Sequence, residues 1–431
     1  MPKDDLLVSQ SIIAATPDGL IHEAIRGALE RSLAPLAGQL HKVLLVPPDF
    51  TRFHSNAGPI TTMLYDYLSA DCEVDVLPAL GTHVPVSKSE WEAMFSTIPY
   101  ERMLVHNWRN DVEKIGIVPG SFVEQISEGL MTESIPVEIN KHLLNPDYDL
   151  ILSIGQVVPH EVVGMANQSK NIFVGCGGSQ MINSSHMLGA FYGMERIMGK
   201  DRTPVRAVLD YATEHFIKEL PISYILTVTD APQGHIRTHG LFIGRQRELF
   251  EQAVVLAQKI NMTLLEEPVK KAVVYLDEQE FKSTWLGNKS IYRTRMAIED
   301  GGELIVLAPG VDKFGEDEAV DRLIRKYGYK GREYVLETLK TAPDLAANLS
   351  AAAHLIHGSS DGRFTITYCT QHLSREEIEA VGYRYMPYHE ALARYPKDDL
   401  TPGYNTLENG DEVYYIPNPA LGLWIEKRRL Q

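Results

Sequence analysis

Four short segments contain the residue types that could do chemistry. They are PPDFTR, LGTHVP, VVPHEVVGMANQSK and NSSH, at residues 47–52, 80–85, 157–170 and 183–186. Each lies at or just after an apolar run that predicts a buried strand. In a largely parallel sheet, ligands bind at the edge where the carboxyl ends of the strands meet. The four segments are therefore expected to gather an Asp, an Arg, three His and a Lys at one edge of a sheet.

The first segment offers a carboxylate, a hydroxyl and a guanidinium in one loop. Asp49, Thr51 and Arg52 follow the apolar run KVLLVP. A guanidinium fork with nearby hydroxyl donors suits a phosphate or ribose group. The alternative is structural, because Asp49 could cap the next helix and Arg52 could pair with it. The Asp-x-x-Arg spacing does not by itself separate the two interpretations.

Two histidines, His83 and His160, follow neighbouring predicted strands. Pro85 stiffens the chain after the first, and Pro159 directly precedes the second. A rigidly held imidazole suits general acid or base chemistry, although a single His on a turn is more often structural. Two of them at neighbouring strand ends predict a pair that acts on opposite faces of one substrate.

Lys170 and His186 complete the set. Lys170 stands between the polar run Asn167-Gln168-Ser169 and the apolar run IFVG, where a lysine can be a nucleophile or covalent anchor. The alternative, a surface lysine between polar loop residues, stays open. His186 precedes an apolar helix, as a helix N-terminal His or a metal ligand. The chain contains no G-x-G-x-x-G or Walker motif for a dinucleotide or a nucleoside triphosphate.

Composition narrows the class of protein. With 431 residues, 44% of them hydrophobic, the chain can bury a large core in two domains. A formal charge of -16 without a basic run argues against nucleic acid or an anionic membrane as partner and favours a small molecule. Residues 1–20 lack the pattern of a signal peptide, and no later segment predicts a membrane span, so we expect a cytoplasmic protein. The three dispersed cysteines predict reduced thiols.

Strand and helix patterns alternate along the chain, which predicts an α/β fold of two α/β domains with largely parallel sheets. We expect an N-terminal cofactor-binding domain over residues 1–265 and a C-terminal α/β domain over 266–431, with the active site in a cleft between them. A helix is predicted over residues 288–299. The last ~35 residues contain an Asn-Gly hairpin signal and are expected to pack back on the N-terminal domain.

The four segments together resemble a known family. PPDFTR, LGTH, PHEVVGMANQSK and the downstream SSH are similar, in order and spacing, to the pattern of the lactate racemase family, whose members use a nickel-pincer nucleotide. The resemblance covers roughly the first 200 residues and one helix in the second half.

The resemblance implies a role for each residue. Lys170 would be joined covalently to a pyridinium-derived bisthiocarboxylate mononucleotide, and with it would form part of the metal site in which His186 ligates nickel. His83 and His160 would be the acid/base pair. Asp49, Thr51 and Arg52 would help to hold the cofactor or its phosphate. Imidazole is a ligand that suits nickel.

The chain departs from the family pattern at two places. The family's Tyr-Gln-x-x-Lys segment, which contacts the substrate carboxylate, is replaced here by Tyr292-Arg293-Thr294-Arg295-Met296, and its Gly-Gly-Arg before the anchoring lysine by Asn167-Gln168-Ser169. Tyr292, Arg293 and Arg295 are therefore candidate substrate-binding residues. The extra guanidinium donors predict a substrate larger or more polar than lactate.

The resulting prediction is a racemase or epimerase that inverts C2 of a 2-hydroxy acid by proton-coupled hydride transfer. The substrate would be an aldonic acid such as gluconate or a dicarboxylic acid such as malate. Cofactor-synthesis proteins would be partners. Two alternatives stay open: a zinc-dependent hydrolase built on His83, His160 and His186, and a non-catalytic protein that binds a nucleotide cofactor.

Overall fold

The computed structural model describes residues 6–430, and these divide into two compact units. Unit 1 extends to Gly189 and again from Arg196 to Asn261, whereas unit 2 comprises Ala190–Glu195 and the described chain from Met262 onward. The main division lies a few residues before the expected domain boundary. Nothing in the sequence indicated that the short segment Ala190–Glu195 would belong to unit 2.

Unit 1 is a mixed α/β unit. Its described strands are β1 (Gln10–Ile13), β2 (Lys42–Val46), β3 (Glu73–Val76), β4 (Val112–Val118), β5 (Ile135–Asn140), β6 (Leu150–Gln156), β7 (Pro159–His160), β8 (Gly164–Met165), β9 (Ile222–Asp230) and β10 (Arg237–Gly244). The helices that begin in unit 1 or in its exchanged segment are α1 (His22–Leu33), α2 (Ala57–Leu68), α3 (Lys88–Phe95), α4 (Gly120–Ile126), α5 (Ser179–Tyr192), α6 (Met194–Ile197), α7 (Pro204–Phe216) and α8 (Arg247–Asn261).

The main sheet of unit 1 has the strand order β1-β10-β9-β6-β2-β3. Its pairs β9-β6, β6-β2 and β2-β3 are parallel, and β10 adds antiparallel pairs on the other side. The central strands are apolar on both faces, as is typical of parallel strands covered by helices. The parallel arrangement puts the C-terminal ends of β2, β3 and β6 at one edge of the sheet.

Unit 2 is a second α/β unit. Its described strands are β11 (Met262–Leu265), β12 (Val269–Tyr275), β13 (Ile298–Leu307), β14 (Thr365–Cys369), β15 (Arg384–Tyr385), β16 (Gly403–Thr406), β17 (Glu412–Ile416) and β18 (Leu423–Glu426). Its helices are α9 (Thr284–Gly287), α10 (Lys289–Tyr292), α11 (Glu318–Tyr327), α12 (Arg332–Leu339), α13 (Pro343–Ala346), α14 (Leu349–His357), α15 (Arg375–Ala380) and α16 (Tyr388–Arg394).

The main sheet of unit 2 has the order β15-β14-β13-β12-β17-β16 and is parallel except for the β16-β17 hairpin. That hairpin contains the predicted Asn409-Gly410 turn, with Gly410 at φ 85°. The C-terminal strands β16, β17 and β18 thus extend the sheets of unit 2 itself, and the expected packing of this segment on the N-terminal domain stays a prediction. The predicted α/β class with largely parallel sheets is confirmed.

The helix predicted over residues 288–299 is wrong in extent. The structure has only the short α10 there, after which the chain turns and enters β13 at Ile298. The carbonyl groups of Arg293 and Met296 accept hydrogen bonds from the backbone N–H groups of Trp424 and Glu426. Carbonyls used in this way are not available to a continuing helix, so tertiary pairing overrides the local helical pattern. No helix among residues 6–430 has the length and apolar character needed to cross a lipid bilayer.

Candidate active site

The candidate site of unit 1 is built on loops that leave the C-terminal ends of its strands. A bridge between Pro48 and Ala79 continues the parallel pairing of β2 and β3 beyond their ends. The side chain of Asn171 donates to the carbonyl of Val46 (3.1 Å) and to the hydroxyl of Ser153 (3.0 Å). These contacts fix the chain next to Lys170 to β2 and β6.

Asp49 and His83 form a close pair at this edge. Asp49 is buried, caps the short 3₁₀ helix Phe50–Ser55, and lies 2.5 Å through Oδ2 from Nδ1 of the more exposed His83. Burial alone would raise the pKa of Asp49, but hydrogen bonds from His83 and Thr51 and the nearby charge of Arg52 hold it below its ordinary value. An ionised carboxylate only accepts, so Nδ1 of His83 carries the proton, and in the neutral ring Nε2 can accept one.

The same contacts give new detail on the predicted phosphate loop. Thr51 donates both its backbone N–H (3.1 Å) and its hydroxyl (2.5 Å) to Asp49. Asp49 therefore has the capping role that was the structural alternative, but its other oxygen orients His83. Arg52 is exposed, so its guanidinium is accessible to a ligand.

His160 lies in the small hairpin formed by β7 and β8, where it pairs with Gly164. It is 6% exposed, and its Nδ1 accepts a hydrogen bond from the backbone N–H of Val162 (3.2 Å). The neutral ring therefore carries its proton on Nε2. Burial holds the pKa of His160 well below its ordinary value, the charges of Lys170 and Arg52 act in the same direction, and Glu161 opposes them. His160 is a neutral hydrogen-bond donor in this structure.

Lys170 follows two residues with left-handed backbone. Asn167 has φ 70° and Gln168 has φ 56°, a region that costs an ordinary residue about 1–2 kcal/mol, although Asn tolerates it. Glycine would adopt such angles without steric cost. Burial lowers the pKa of Lys170 to about 8, and the charge of Arg52 acts in the same direction. A lysine with this pKa carries a substantial neutral, nucleophilic fraction near pH 8.

His186 lies on α5, where its Nδ1 is 2.7 Å from the carbonyl oxygen of Ile182 one turn earlier. A carbonyl only accepts, so Nδ1 donates and Nε2 keeps a lone pair that could bind a metal ion. Burial lowers the pKa of His186, and the charge of Lys170 acts in the same direction. The imidazole is thus held in the neutral form that a metal requires.

The charged groups of the loops act on one another, and Lys170 lies within electrostatic reach of Asp49, Arg52, His160 and His186. Arg52 lowers the pKa values of both His160 and Lys170, whereas the carboxylate of Glu161 raises those of His160, Lys170 and His186. Glu161 had not been singled out in the sequence. Its Oε2 lies 3.8 Å from Nδ1 of His160.

A second residue that the sequence did not reveal is Arg206, in the first turn of α7. It is 1% exposed, and burial lowers its pKa to about 10. Its guanidinium group donates to four acceptors in the segment that leads to Lys170: Met165 O, Asn167 O, Gln168 Oε1 and Ser169 Oγ. These hydrogen bonds join residues almost forty positions apart in the chain, so no local sequence pattern could predict them.

The predicted substrate residues belong to unit 2 and are buried there. Arg295 is fully engaged, with Glu195 (2.9 Å), Asp361 (2.9 Å) and the carbonyl of Ser359 (3.1 Å) as partners. Substrate binding by Arg295 would require it to exchange these partners. Arg293 donates through Nη1 to the carbonyl of Gly422 (3.3 Å), and its buried Nε has no hydrogen-bond partner among the described residues.

Tyr292, the third predicted substrate residue, is 6% exposed and lies edge-on to the ring of His357. Within residues 6–430, no three His, Cys, Asp or Glu side chains come together in an arrangement that could hold a metal ion. The described residues therefore do not offer the three-histidine centre that the zinc hydrolase alternative requires.

Comparison with known proteins gives matches to a family model and to solved structures. Residues 5–198 match the family model described as the lactate racemase N-terminal domain. A crystal structure of a protein from Thermotoga maritima is similar with a TM-score of 0.79 and 24% identity, covering 95% of this chain and 99% of that chain. The lactate racemase apoprotein from Thermoanaerobacterium thermosaccharolyticum is similar with a TM-score of 0.71 and 17% identity, covering 97% of this chain and 100% of that chain.

No curated protein sequence matches the chain significantly. The two structural matches are too distant in sequence to indicate more than a shared fold. The segment that carries His83, His160, Lys170 and His186 is thus similar to the lactate racemase N-terminal domain, and the chain as a whole shares its fold with the lactate racemase apoprotein.

Proposed function

We propose that this protein is an isomerase that inverts C2 of a 2-hydroxy acid, with a nickel-pincer nucleotide attached to Lys170. The observation that carries the proposal is the environment of Lys170. The lysine has a pKa lowered to about 8 and lies within electrostatic reach of two neutral histidines and Arg52. All of these groups belong to the segment that is similar to the lactate racemase N-terminal domain.

The residues present fit the proposed cofactor. Lys170 is nucleophilic enough to form an amide-type link, and His186 presents a free Nε2, an imidazole ligand that suits nickel. The exposed guanidinium of Arg52 can pair with a phosphate group. When bound, the cofactor would supply a hydride acceptor for C2 of the substrate. Its assembly would require cofactor-synthesis proteins as partners.

His83 is the proposed base. Its Nδ1–H donates to Asp49, so that Nε2 of the neutral ring can accept the proton of the substrate hydroxyl group. The ionised Asp49 then stabilises the imidazolium that forms. Removal of the hydroxyl proton drives loss of hydride from C2 and leaves a planar 2-keto acid.

His160 is the proposed acid. Its Nε2–H can donate a hydrogen bond to the oxygen of the planar keto acid, and the ring would transfer this proton from its imidazolium form while hydride returns to the opposite face of C2, because a neutral imidazole that lost the proton would become an imidazolate. Glu161, beside Nδ1 of His160, favours return of a proton to the ring. In the reverse direction the two histidines exchange roles. Inversion thus needs one acid/base group on each face.

The attachment is tested by intact mass spectrometry of protein made together with cofactor-synthesis enzymes. We expect a mass increase on the parent protein and on the control variant Lys141→Ala, because Lys141 is an exposed lysine of the same unit. We expect no increase on Lys170→Ala. His186→Ala should keep the added mass and retain less nickel in metal analysis. A Lys170→Ala variant that racemises at the parent rate would remove the proposal.

Loading without racemisation of any 2-hydroxy acid would instead indicate the non-catalytic alternative, a protein that only carries the cofactor. A racemisation assay on the same cofactor-loaded protein therefore distinguishes the isomerase from the non-catalytic carrier. Zinc without a visible cofactor band would indicate a hydrolase.

For the substrate, we propose an acid with more hydrogen-bond acceptors than lactate, such as gluconate or malate. The support is Arg293, a guanidinium whose buried Nε has no partner among the described residues. Racemisation rates of lactate, malate and gluconate are compared for the parent protein and for Arg293→Gln. We expect lactate to be the poorest substrate of the parent and to gain most from the substitution. An unchanged ranking would show that Arg293 does not select the substrate.

A further inference from the structure

Arg206, in the first turn of α7, makes unusual contacts with the segment that leads to Lys170. Burying a guanidinium group is costly unless its donors are satisfied, and ion pairing is the common solution. Here the hydrogen bonds go to neutral acceptors: Met165 O (2.6 Å), Ser169 Oγ (3.0 Å), Asn167 O (3.3 Å) and Gln168 Oε1 (3.4 Å). All four belong to the chain from Met165, the last residue of the His160 hairpin, to Ser169, which directly precedes Lys170.

The position of Arg206 is itself fixed from two sides. Thr203 caps α7 by accepting from the backbone N–H of Arg206 (3.1 Å), and the hydroxyl of Thr203 donates to the carbonyl of Val163 (2.9 Å). The guanidinium carbon lies 4.5 Å from the centre of the Phe250 ring. The start of α7 and the His160 hairpin are thus joined independently of the four guanidinium contacts.

The segment that Arg206 contacts has a backbone that its sequence does not favour. Asn167 and Gln168 both have positive φ, and Gln in particular seldom adopts this region. Gly155 leaves the space that the Asn167 side chain occupies, since a Cβ at Gly155 would lie 2.1 Å from Asn167 Nδ2. An external contact is needed to keep two such residues in this conformation.

We propose that Arg206 is a positioning residue that holds residues 165–169 in place, with Asn167 and Gln168 in their left-handed conformation, and thereby sets the place of Lys170. The contacts replace what glycines would do without help, because glycine needs no partner at positive φ. The other charged groups around Lys170 are Arg52, Asp49 and Glu161, and none of them makes these four contacts. The inference rests on the proposed function only in giving Lys170 a cofactor to carry.

The first test measures the segment without any cofactor. Hydrogen exchange is followed at the backbone amides of Ala166, Lys170 and Asn171, which donate to the carbonyls of Val158, Asn167 and Gln168. In Arg206→Lys we expect these amides to exchange at least about tenfold faster, because a shorter ammonium cannot reach all four acceptors. The matched control is Arg247→Lys. Arg247 also lies over the Phe250 ring, at 4.9 Å, but pairs with Asp201 and Asp210.

The second test is rescue by glycine. The triple variant Arg206→Lys, Asn167→Gly, Gln168→Gly removes the guanidinium contacts. It also removes the steric cost of positive φ at residues 167 and 168, which those contacts offset. Loading of Lys170, read from the intact mass, should fall at least about tenfold in Arg206→Lys and return towards the parent value in the triple variant. Glycines at positive φ also stabilise the folded chain in general, so urea unfolding of both variants is measured as well, and recovery of loading beyond any gain in the free energy of unfolding identifies the local effect.

A third variant guards against a misfolded Arg206→Lys. Gln168→Met with Ser169→Ala removes both acceptors of Nη1 and keeps the guanidinium group, and we expect the same faster exchange to a smaller degree. Unchanged exchange in whichever of these variants folds, or lost loading that the two glycines do not restore, would overturn the proposal. Failure of the proposed function looks different, because the parent protein itself would then take up no cofactor.

Discussion

His83 and His160 have the same side chain and both follow strands of one sheet, but their surroundings give them opposite chemistry. His83 is more than half exposed and places Nδ1 against an ionised carboxylate. His160 is buried and places Nδ1 against a backbone N–H group. An acceptor beside Nδ1 leaves Nε2 able to take a proton, whereas a donor beside Nδ1 leaves Nε2 carrying one.

Residue type and strand-end position therefore do not decide which histidine is the base. The group in contact with Nδ1 decides it. The two rings are therefore poised as one acceptor and one donor before any substrate arrives. An inverting enzyme requires such complementarity at the two faces of a planar intermediate.

The largest effect is expected from Asp49→Asn, which should give His83 the same tautomer as His160 and so remove the difference between the two rings. The amide of Asn can donate to Nδ1, so that the proton moves to Nε2 and the proposed base is lost. We expect the racemisation rate of the cofactor-loaded protein to fall at least about a hundredfold, the lower end of what general bases contribute.

The control for Asp49→Asn is Asp230→Asn, which alters another Asp beside a histidine, His239 at 3.0 Å, on the main sheet of the same unit. The control should keep the parent rate within a few fold. If Asp49→Asn racemises nearly as fast as the parent protein, the tautomer of His83 does not matter and the proposed assignment of the base is wrong.

A smaller effect is expected from Glu161→Gln, which removes the carboxylate next to His160. The carboxylate of Glu161 opposes the effect of burial on the pKa of His160. Without it the imidazolium form is harder to reach, so proton donation by His160 should slow by about tenfold, a part of what general acids contribute. The measurement is the pH profile of kcat, whose alkaline limb should move to lower pH, because the general acid His160 must carry its proton to act. An unmoved limb would show that Glu161 does not act on the titration of His160.

Much of the fold followed from the sequence because its signals are local. Alternating apolar strands and amphipathic helices predicted the parallel sheets, and the apolar runs before Asp49 and His160 predicted their strand ends. The start of α3 has a similarly local signal, the Ser-x-x-Glu capping box, in which Ser87 accepts from the backbone N–H of Glu90 and the Glu90 side chain accepts from the backbone N–H of Ser87. Each of these signals is complete within a few residues of chain.

The rest depended on contacts between distant parts of the chain. Arg206 reaches the segment before Lys170 from another helix, and the carbonyls of Arg293 and Met296 are used by a strand near the C-terminus. The protonation states of His83 and His160 likewise depend on which group faces Nδ1 after folding. A sequence pattern places such residues near one another but does not say which atoms meet.

The smallest effect is expected in the pH dependence of stability, which tests whether His160 is neutral as described. Burial holds its pKa in the folded protein well below 6.5, the ordinary value that it has in the unfolded chain. Above about pH 6.5 both states are neutral, and His160 adds no pH dependence. As the pH falls below that value, the unfolded chain takes up a proton that the folded protein does not. Stability is therefore lost on acidification, by up to about 1.4 kcal/mol per pH unit.

Between pH 6.5 and pH 5 this amounts to about 1.5 kcal/mol for one histidine. Other buried histidines contribute in the same direction, so the measurement is a difference: urea unfolding of the parent and of His160→Asn at both pH values. The variant should lose about 1.5 kcal/mol less than the parent. The positive control is His106→Asn, because burial lowers the pKa of His106 to about 4 and predicts a change of the same sign. Equal losses in parent and His160→Asn, with the expected change in the control, would mean that burial does not lower the pKa of His160 in the folded protein.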